Sequence, residues 1–301
     1  MIRDYEDRDA EAGAALIVEY SPWLATPEGL RHRLRALPER AHRKTWVAEV
    51  DGGVVGWGEA EFDWVAERDD IGTVWVVVAS DHRGRGLGSA LFVRATAHME
   101  EHGAGELRTW SIPAGEAFLE RRGFRRAREE RISAVDPRTV DASRLDDLPA
   151  GVDIVPLAAL LDHLPEVHAL YSEAAADMPA DHAESNIPYD EWVEETVGNP
   201  DLDRDASMVV LVEGRPAALS WLEVYRAQRI AQHDLTGTAR AYRRRGLARL
   251  AKLAALRWCV DAGIVRVTTG NDSTNVGMLA INDEVGFRPF AVETEWVKPL
   301  S

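Results

Sequence analysis

Two stretches of the 301-residue chain repeat one sequence event at a fixed distance, and this recurrence restricts the fold more than any other feature. Residues 81–91 read DHRGRGLGSAL, and residues 241–250 read AYRRRGLARL. Arg83, Gly86, Leu87 and Gly88 correspond to Arg243, Gly246, Leu247 and Ala248, each 160 residues further on. Both stretches follow a run of strand type and open a segment of helical periodicity. A repeat spanning about half the chain implies two similar domains, in line with roughly 100–200 residues per domain.

The order of elements supports the duplication. In the first half, TWVAEV (45–50) and GVVGWGEAEF (53–62) read as strands joined at DGG, a hairpin sequence. GTVWVVVAS (72–80) is a continuous β-branched run, as in a strand covered on both faces. Leu87, Leu91, Ala95 and Met99 then recur at helical spacing up to Gly103. A strand at 106–110, a short helix at 115–124 and a strand or hairpin at 125–135 complete the half. Residues 136–151 are polar with two prolines and read as a linker. The second half gives a strand at 152–157, helices near 160–176 and 189–197, and a hairpin at 207–225 turning at EGR. A strand at 230–239, a helix at 246–262, a strand at 264–270, a helix at 274–285 and closing strands at 288–297 follow. The fold class is α/β, with a mixed, partly antiparallel sheet and flanking helices in each of two tandem domains, 1–138 and 151–301.

Composition narrows the function. Acidic residues number 51 against 35 basic, for a net charge of −16. Nucleic acid is therefore not the expected partner, since phosphate backbones require a broad basic face. No apolar run approaches the roughly 20 residues needed to span a bilayer. The charged start MIRDYEDRDAEAG lacks a signal-peptide pattern, and Cys259 is the single cysteine. A soluble, cytoplasmic monomer or homodimer is expected. No metal site is expected, because His163, His168 and His182 form no ligand spacing. Cys259 reads as a helix-packing residue, and Trp192 and Trp221 as core residues or the wall of an acceptor pocket.

The repeated segment joins a strand end to a helix start. A helix N-terminus leaves about four N–H groups unpartnered at the positive end of its dipole. Glycine lets a ligand approach that backbone, and a nearby arginine adds a fork for phosphate oxygens. The combination suits a pyrophosphate. A P-loop is excluded, because neither copy follows its last glycine with Lys-Ser or Lys-Thr. A dinucleotide fingerprint is only approached by Gly84, Gly86 and Ser89. A tight strand-to-helix turn with exposed arginines accounts for one copy more readily than for two.

Arg83-Gly84-Arg85-Gly86-Leu87-Gly88 and Arg243-Arg244-Arg245-Gly246-Leu247-Ala248 resemble the [QR]-x-x-G-x-[GA] motif of the GNAT superfamily of N-acetyltransferases. NVGMLAINDEVGF (275–287) and Gly123-Phe124 resemble the close of that family's last helix. The resemblance covers nearly the whole chain, once per half. It implies acetyl-CoA as the acyl donor, its pyrophosphate held by backbone from Arg243 to Ala248 and from Arg83 to Ser89. It places the pantetheine arm along Thr238, Ala239 and Arg240, and along Val76, Val77 and Val78, with Asn275 touching the arm. The strand before each loop is expected to splay from its neighbour.

The chain also departs from the family. The tyrosine that many members place four residues before Gly-Phe is Asn282 in one half and Leu119 in the other, and Ile112 stands where Asn275 does. The second half is the expected catalyst, with the first half binding donor or serving as a partner domain. Transfer to an amine needs a proton acceptor near the acetyl group. Asp234, His233 and Glu223 are the candidates, and an N–H near Thr238 is the candidate oxyanion donor. The expected reaction is direct N-acetylation of a small amine. The alternative is a non-catalytic acyl-CoA-binding or sensing protein.

Overall fold

A computed structural model describes residues 1–179 and 187–300. His182 lies outside these residues. The chain divides into two compact units, one made of residues 1–130 with 292–300 and the other of 131–179 with 187–291.

In the first unit, β1 (Ile2–Asp4), β2 (Lys44–Val50), β3 (Gly53–Phe62) and β4 (Ile71–Val78) pair antiparallel in that order. β5 (Glu106–Ser111) runs parallel to β4, but only Glu106–Arg108 lies against Ile71–Thr73. Beyond Thr73 the two strands part. The other edge of β5 pairs antiparallel with the unit's share of the chain's last strand, from Thr294 opposite Ser111 to Pro299 opposite Glu106.

Side-chain alternation explains the unbroken apolar run of β4. Val74, Val76 and Val78 pack with α3 (Leu87–Glu101) against Leu91, Phe92, Ala95 and Met99. Trp75 and Val77 face the opposite layer, where α1 (Ala10–Tyr20) and α2 (Pro27–Ala36) contribute Ala14, Ile17 and Leu30. α3 lies close on the sheet, since a Cβ on Gly58 would stand 3.3 Å from Leu91. The helix ends in a Schellman motif, with Ala104 N bonding to Met99 O at 3.0 Å and Gly103 N to Glu100 O at 3.1 Å. α4 (Pro113–Glu120) and β6 (Arg125–Val135) follow.

The sequence reading placed no element before residue 45, and β1, α1 and α2 fill that gap. α1 is rich in alanine and has no side-chain cap, so its start is weakly marked. α2 is marked, because Thr26 caps it through Gly29 N at 2.9 Å and Pro27 opens it.

The second unit repeats the plan. β7 (Val152–Pro156), β8 (Met208–Val212), β9 (Arg215–Tyr225) and β10 (Ile230–Thr238) pair antiparallel in order. β11 (Arg266–Asp272) runs parallel to β10 over Ile230–His233 alone. α5 (Leu164–Ala175) and α6 (Tyr189–Trp192) cover one face around Trp192 and Trp221. Both tryptophans are fully buried core residues. α7 (Leu247–Asp261) and α8 (Val276–Val285) flank the other side. β12 (Arg288–Pro299) ends the chain. Residues 136–151, read as a linker, are fastened to this unit. Val140, Leu145 and Leu148 pack on its core in and around two single 3-10 turns.

Among the described residues, no helix is long and apolar enough to cross a membrane, and no group of His, Cys, Asp and Glu is arranged to hold a metal ion.

Candidate active site

In each unit the strand before the loop leaves its parallel neighbour and ends at a helix whose N-terminal N–H groups face outward. Gly86 and Gly246 occupy the N-cap positions in the left-handed region, at φ 84° and 76°. No side chain caps either helix. The first turns of α3 and α7 therefore keep unpartnered amides, those of Leu87–Ser89 and Leu247–Arg249. They also hold the positive end of a four-turn helix dipole.

The motif arginines are partly committed. Arg83 Nε donates to Val78 O at 2.9 Å, and Arg243 Nε to Thr238 O at 3.2 Å. Each guanidinium thus ties its loop to the last turn of the preceding strand. Arg83 also stacks on the Tyr20 ring at 4.5 Å. Arg243 pairs instead with Asp177, which also accepts from Arg240 Nη2 at 3.1 Å. The two units match three residues further back. Ser80 N donates to Tyr20 Oη at 2.6 Å, and its counterpart Arg240 N donates to Glu173 Oε1 at 2.7 Å.

In the first unit the parting of β4 and β5 opens a cavity of about 530 Å³. Val76, Val77 and Val78 line one wall, and Gly86 to Ser89 line the mouth. Trp75, Trp110 and Glu293 line it as well. Sequence reasoning missed Arg122, which donates from Nη2 to Ser89 Oγ at 2.6 Å and lies over the Phe118 ring at 3.4 Å. Burial and the neighbouring charge of Arg121 lower its pKa, so a bound anion there would relieve an electrostatic cost.

The sequence profile of the acetyltransferase (GNAT) domain matches residues 41–126, the stretch that supplies the loop and most of the cavity lining. This stretch of the chain is a GNAT-type acetyltransferase domain. The chain is 29% identical over 230 residues to the mycothiol acetyltransferase of Clavibacter sepedonicus, covering 73% of this chain and 71% of that one. A tandem GNAT protein from the clavulanic acid biosynthesis pathway superposes with a TM-score of 0.75 at 20% identity, over 99% of this chain and 98% of that one. The GCN5-related N-acetyltransferase of Sphaerobacter thermophilus superposes with a TM-score of 0.71 at 17% identity, over 99% and 95%. These two likenesses show the fold, in tandem along one chain.

Acyl transfer to an amine needs a proton acceptor near the reacting carbonyl, and the three sequence candidates in the second unit stand in different surroundings. Asp234 lies in β10, where the register with β9 shifts between His233 and Thr236. That bulge leaves Asp234 outside the ladder with solvent access. Surrounding protein and the carboxylate of Glu195 push its pKa up to about 6.

His233 is buried. Its Nδ1 meets Ser220 Oγ at 3.1 Å, and its Nε2 has no partner among the described residues. Burial, with the Lys252 charge second, holds it well below the ordinary histidine range, so it is neutral at pH 7. Glu223 is pinned by Tyr225 Oη at 2.7 Å, Asn199 Nδ2 at 3.2 Å and Gln232 Nε2 at 3.2 Å. Three donors on one carboxylate fix it as an anchor between strands.

The positions that depart from the family are also placed. Asn275 caps α8, accepting from Met278 N at 3.2 Å. Asn282 is buried, taking a hydrogen bond from Lys252 Nζ at 2.6 Å and giving one to Asn271 Oδ1 at 2.5 Å. Lys252 is completely buried, and burial brings its pKa down to about 7. The position that holds a tyrosine elsewhere in the family is thus the polar partner of a buried amine. Leu119 is a core residue at the cavity wall. Cys259 is buried, and burial pushes its thiol up to about 12, too high for thiolate chemistry.

Proposed function

We propose that this chain moves the acetyl group of acetyl-CoA directly to the nitrogen of a small amine. The observation that carries this reading is the paired arrangement at each loop, where an uncapped, glycine-led helix N-terminus stands beside strands that part. The diphosphate would take the amides of Leu87–Ser89 and of Leu247–Arg249. The pantetheine amides would pair with the free edge of β4 at Val76–Val78 and of β10 near Thr238.

In the second half Asp234 receives the amine's proton. A carboxylate of pKa near 6 is ionised at neutral pH yet close enough to the operating pH to exchange protons efficiently. Attack by the neutral amine forms the C–N bond as the C–S bond breaks, and an N–H near Thr238 steadies the oxyanion. The net charge of −16 favours a cationic amine in the surrounding field. A cytoplasmic location belongs to this reading, and the single cysteine supports it.

One observation favours a second reading for the second half. Asp177 on Arg243 and Glu173 on the Arg240 amide place two carboxylates beside its loop. In that case this half binds no donor and the first unit alone carries it. Thiol release from acetyl-CoA across a panel of primary amines tests the function, and calorimetric stoichiometry separates the readings. Two donors per chain support the first and one supports the second. Absence of both binding and turnover refutes the proposal.

A further inference from the structure

The first unit has no ionisable residue on β4 comparable to Asp234, yet its cavity holds a carboxylate brought from the far end of the sequence. Glu293 lines the cavity from the chain's last strand, one residue before Thr294 pairs with Ser111 at the end of β5. Its residue is 5% exposed. Trp23 Nε1 donates to Glu293 Oε2 at 2.6 Å. Glu293 Oε1 has no partner among the described residues. That oxygen keeps contact with solvent, so it is open to a ligand in the cavity.

We propose that the first unit is a second acetyl-transfer centre in which Glu293 is the catalytic residue. This rests on the acetyl transfer proposed above and adds a site to it. The nitrogen lone pair of a primary amine forms the C–N bond at the thioester carbonyl, and the C–S bond breaks. Glu293 takes the proton from that nitrogen and gives it to the departing sulfur, so no other reactant is needed. One group then serves as both base and acid, which accounts for a leucine at position 119. Desolvation, with the Glu130 charge adding to it and the Trp23 N–H opposing it, sets the carboxyl at about 7, where it gives and takes protons with equal ease. Trp75 and Trp110 in the same cavity fit an amine with an apolar or flat body, its ammonium held by the carboxylate until it loses one proton to solvent and becomes the neutral nucleophile.

The test uses the full chain with acetyl-CoA and three primary amines of different shape, tryptamine, spermidine and glucosamine. Thiol release is followed from pH 5 to 9 in wild type, Asp234→Asn, Glu293→Gln in that background, and Trp23→Phe. Asp234→Asn should retain turnover on at least one amine, with kcat/KM rising through an apparent pKa near 7. Adding Glu293→Gln should lower that rate by about 100-fold or more while acetyl-CoA affinity stays within about twofold. Trp23→Phe removes the N–H that favours the ionised carboxylate, so the rise should move to higher pH. If Asp234→Asn leaves no turnover, or Glu293→Gln changes neither rate nor profile, the second centre is refuted and the function proposed above stands. If the wild type releases no thiol with any amine, that function fails and this centre fails with it.

Discussion

The guanidinium of Arg243 is paired with the carboxylate of Asp177 beside the amides that open α7. Its counterpart Arg83 has no such partner among the described residues and rests on an aromatic ring instead. Two loops of one design therefore differ in the charge they present to an anion.

Asp177→Asn should strengthen acetyl-CoA binding at the second loop. The pair is partly exposed, so its removal is a modest effect, and an affinity gain of about three- to tenfold is expected. Calorimetry on wild type and variant checks this. Unchanged affinity and stoichiometry would show that the ion pair does not compete with the donor.

Gly88→Asp should separate stability from binding at the first loop. Its Cβ would meet Val78 Cγ2 at 3.5 Å and Phe118 Cε2 at 3.9 Å, both ordinary contacts, so the site accepts a side chain. A carboxylate in the first turn of α3 suits the helix dipole and should stabilise by about 0.3–1 kcal/mol. The same charge should abolish donor binding in the first unit. Thermal melting and calorimetry on one preparation read both effects.

Much of this was legible in the sequence because it is local. Arg83 to Gly88 and Arg243 to Ala248 fix a strand end, a left-handed glycine and a helix start within six residues. The valines of β4 announced a strand covered on both faces, and Gly103 announced the end of α3. What was hidden depends on contacts between distant segments. Glu293 is an alternating polar residue in RPFAVETEWV, and nothing near it in sequence says that it lines a cavity and accepts from Trp23. Lys252 is buried in the core, where Asn282, 30 residues on, accepts from its Nζ. The bulge beside Asp234 is likewise a matter of register with β9 and leaves no local mark.

Lys252 gives a prediction for stability against pH. Its amine sits at about 7 in the folded chain against 10.5 when unfolded, so between these values the unfolded state binds more protons. Stability from this group therefore rises with pH from about 7 to 10.5, and below 7 its full cost is present. Lys252→Met should remove that rise and raise the melting temperature at pH 7, although it leaves Asn282 Oδ1 without its donor. Melting curves of both proteins across this range decide it.

Asp234→Asn tests the acceptor in the second half. Loss of the proton acceptor should lower kcat/KM by about 10²–10⁴ for amines turned over there. In wild type the acid limb for those amines should fall near pH 6, the value at which Asp234 protonates. An unaltered limb in the variant would assign the proton to another group.

The central claim is that backbone amides at a glycine-led helix start receive the donor's diphosphate. A crystal structure of the chain grown with acetyl-CoA measures this directly. The diphosphate oxygens should lie about 3 Å from the amide nitrogens of Leu87, Gly88 and Ser89. A diphosphate bound elsewhere, with those three amides facing solvent, would contradict it.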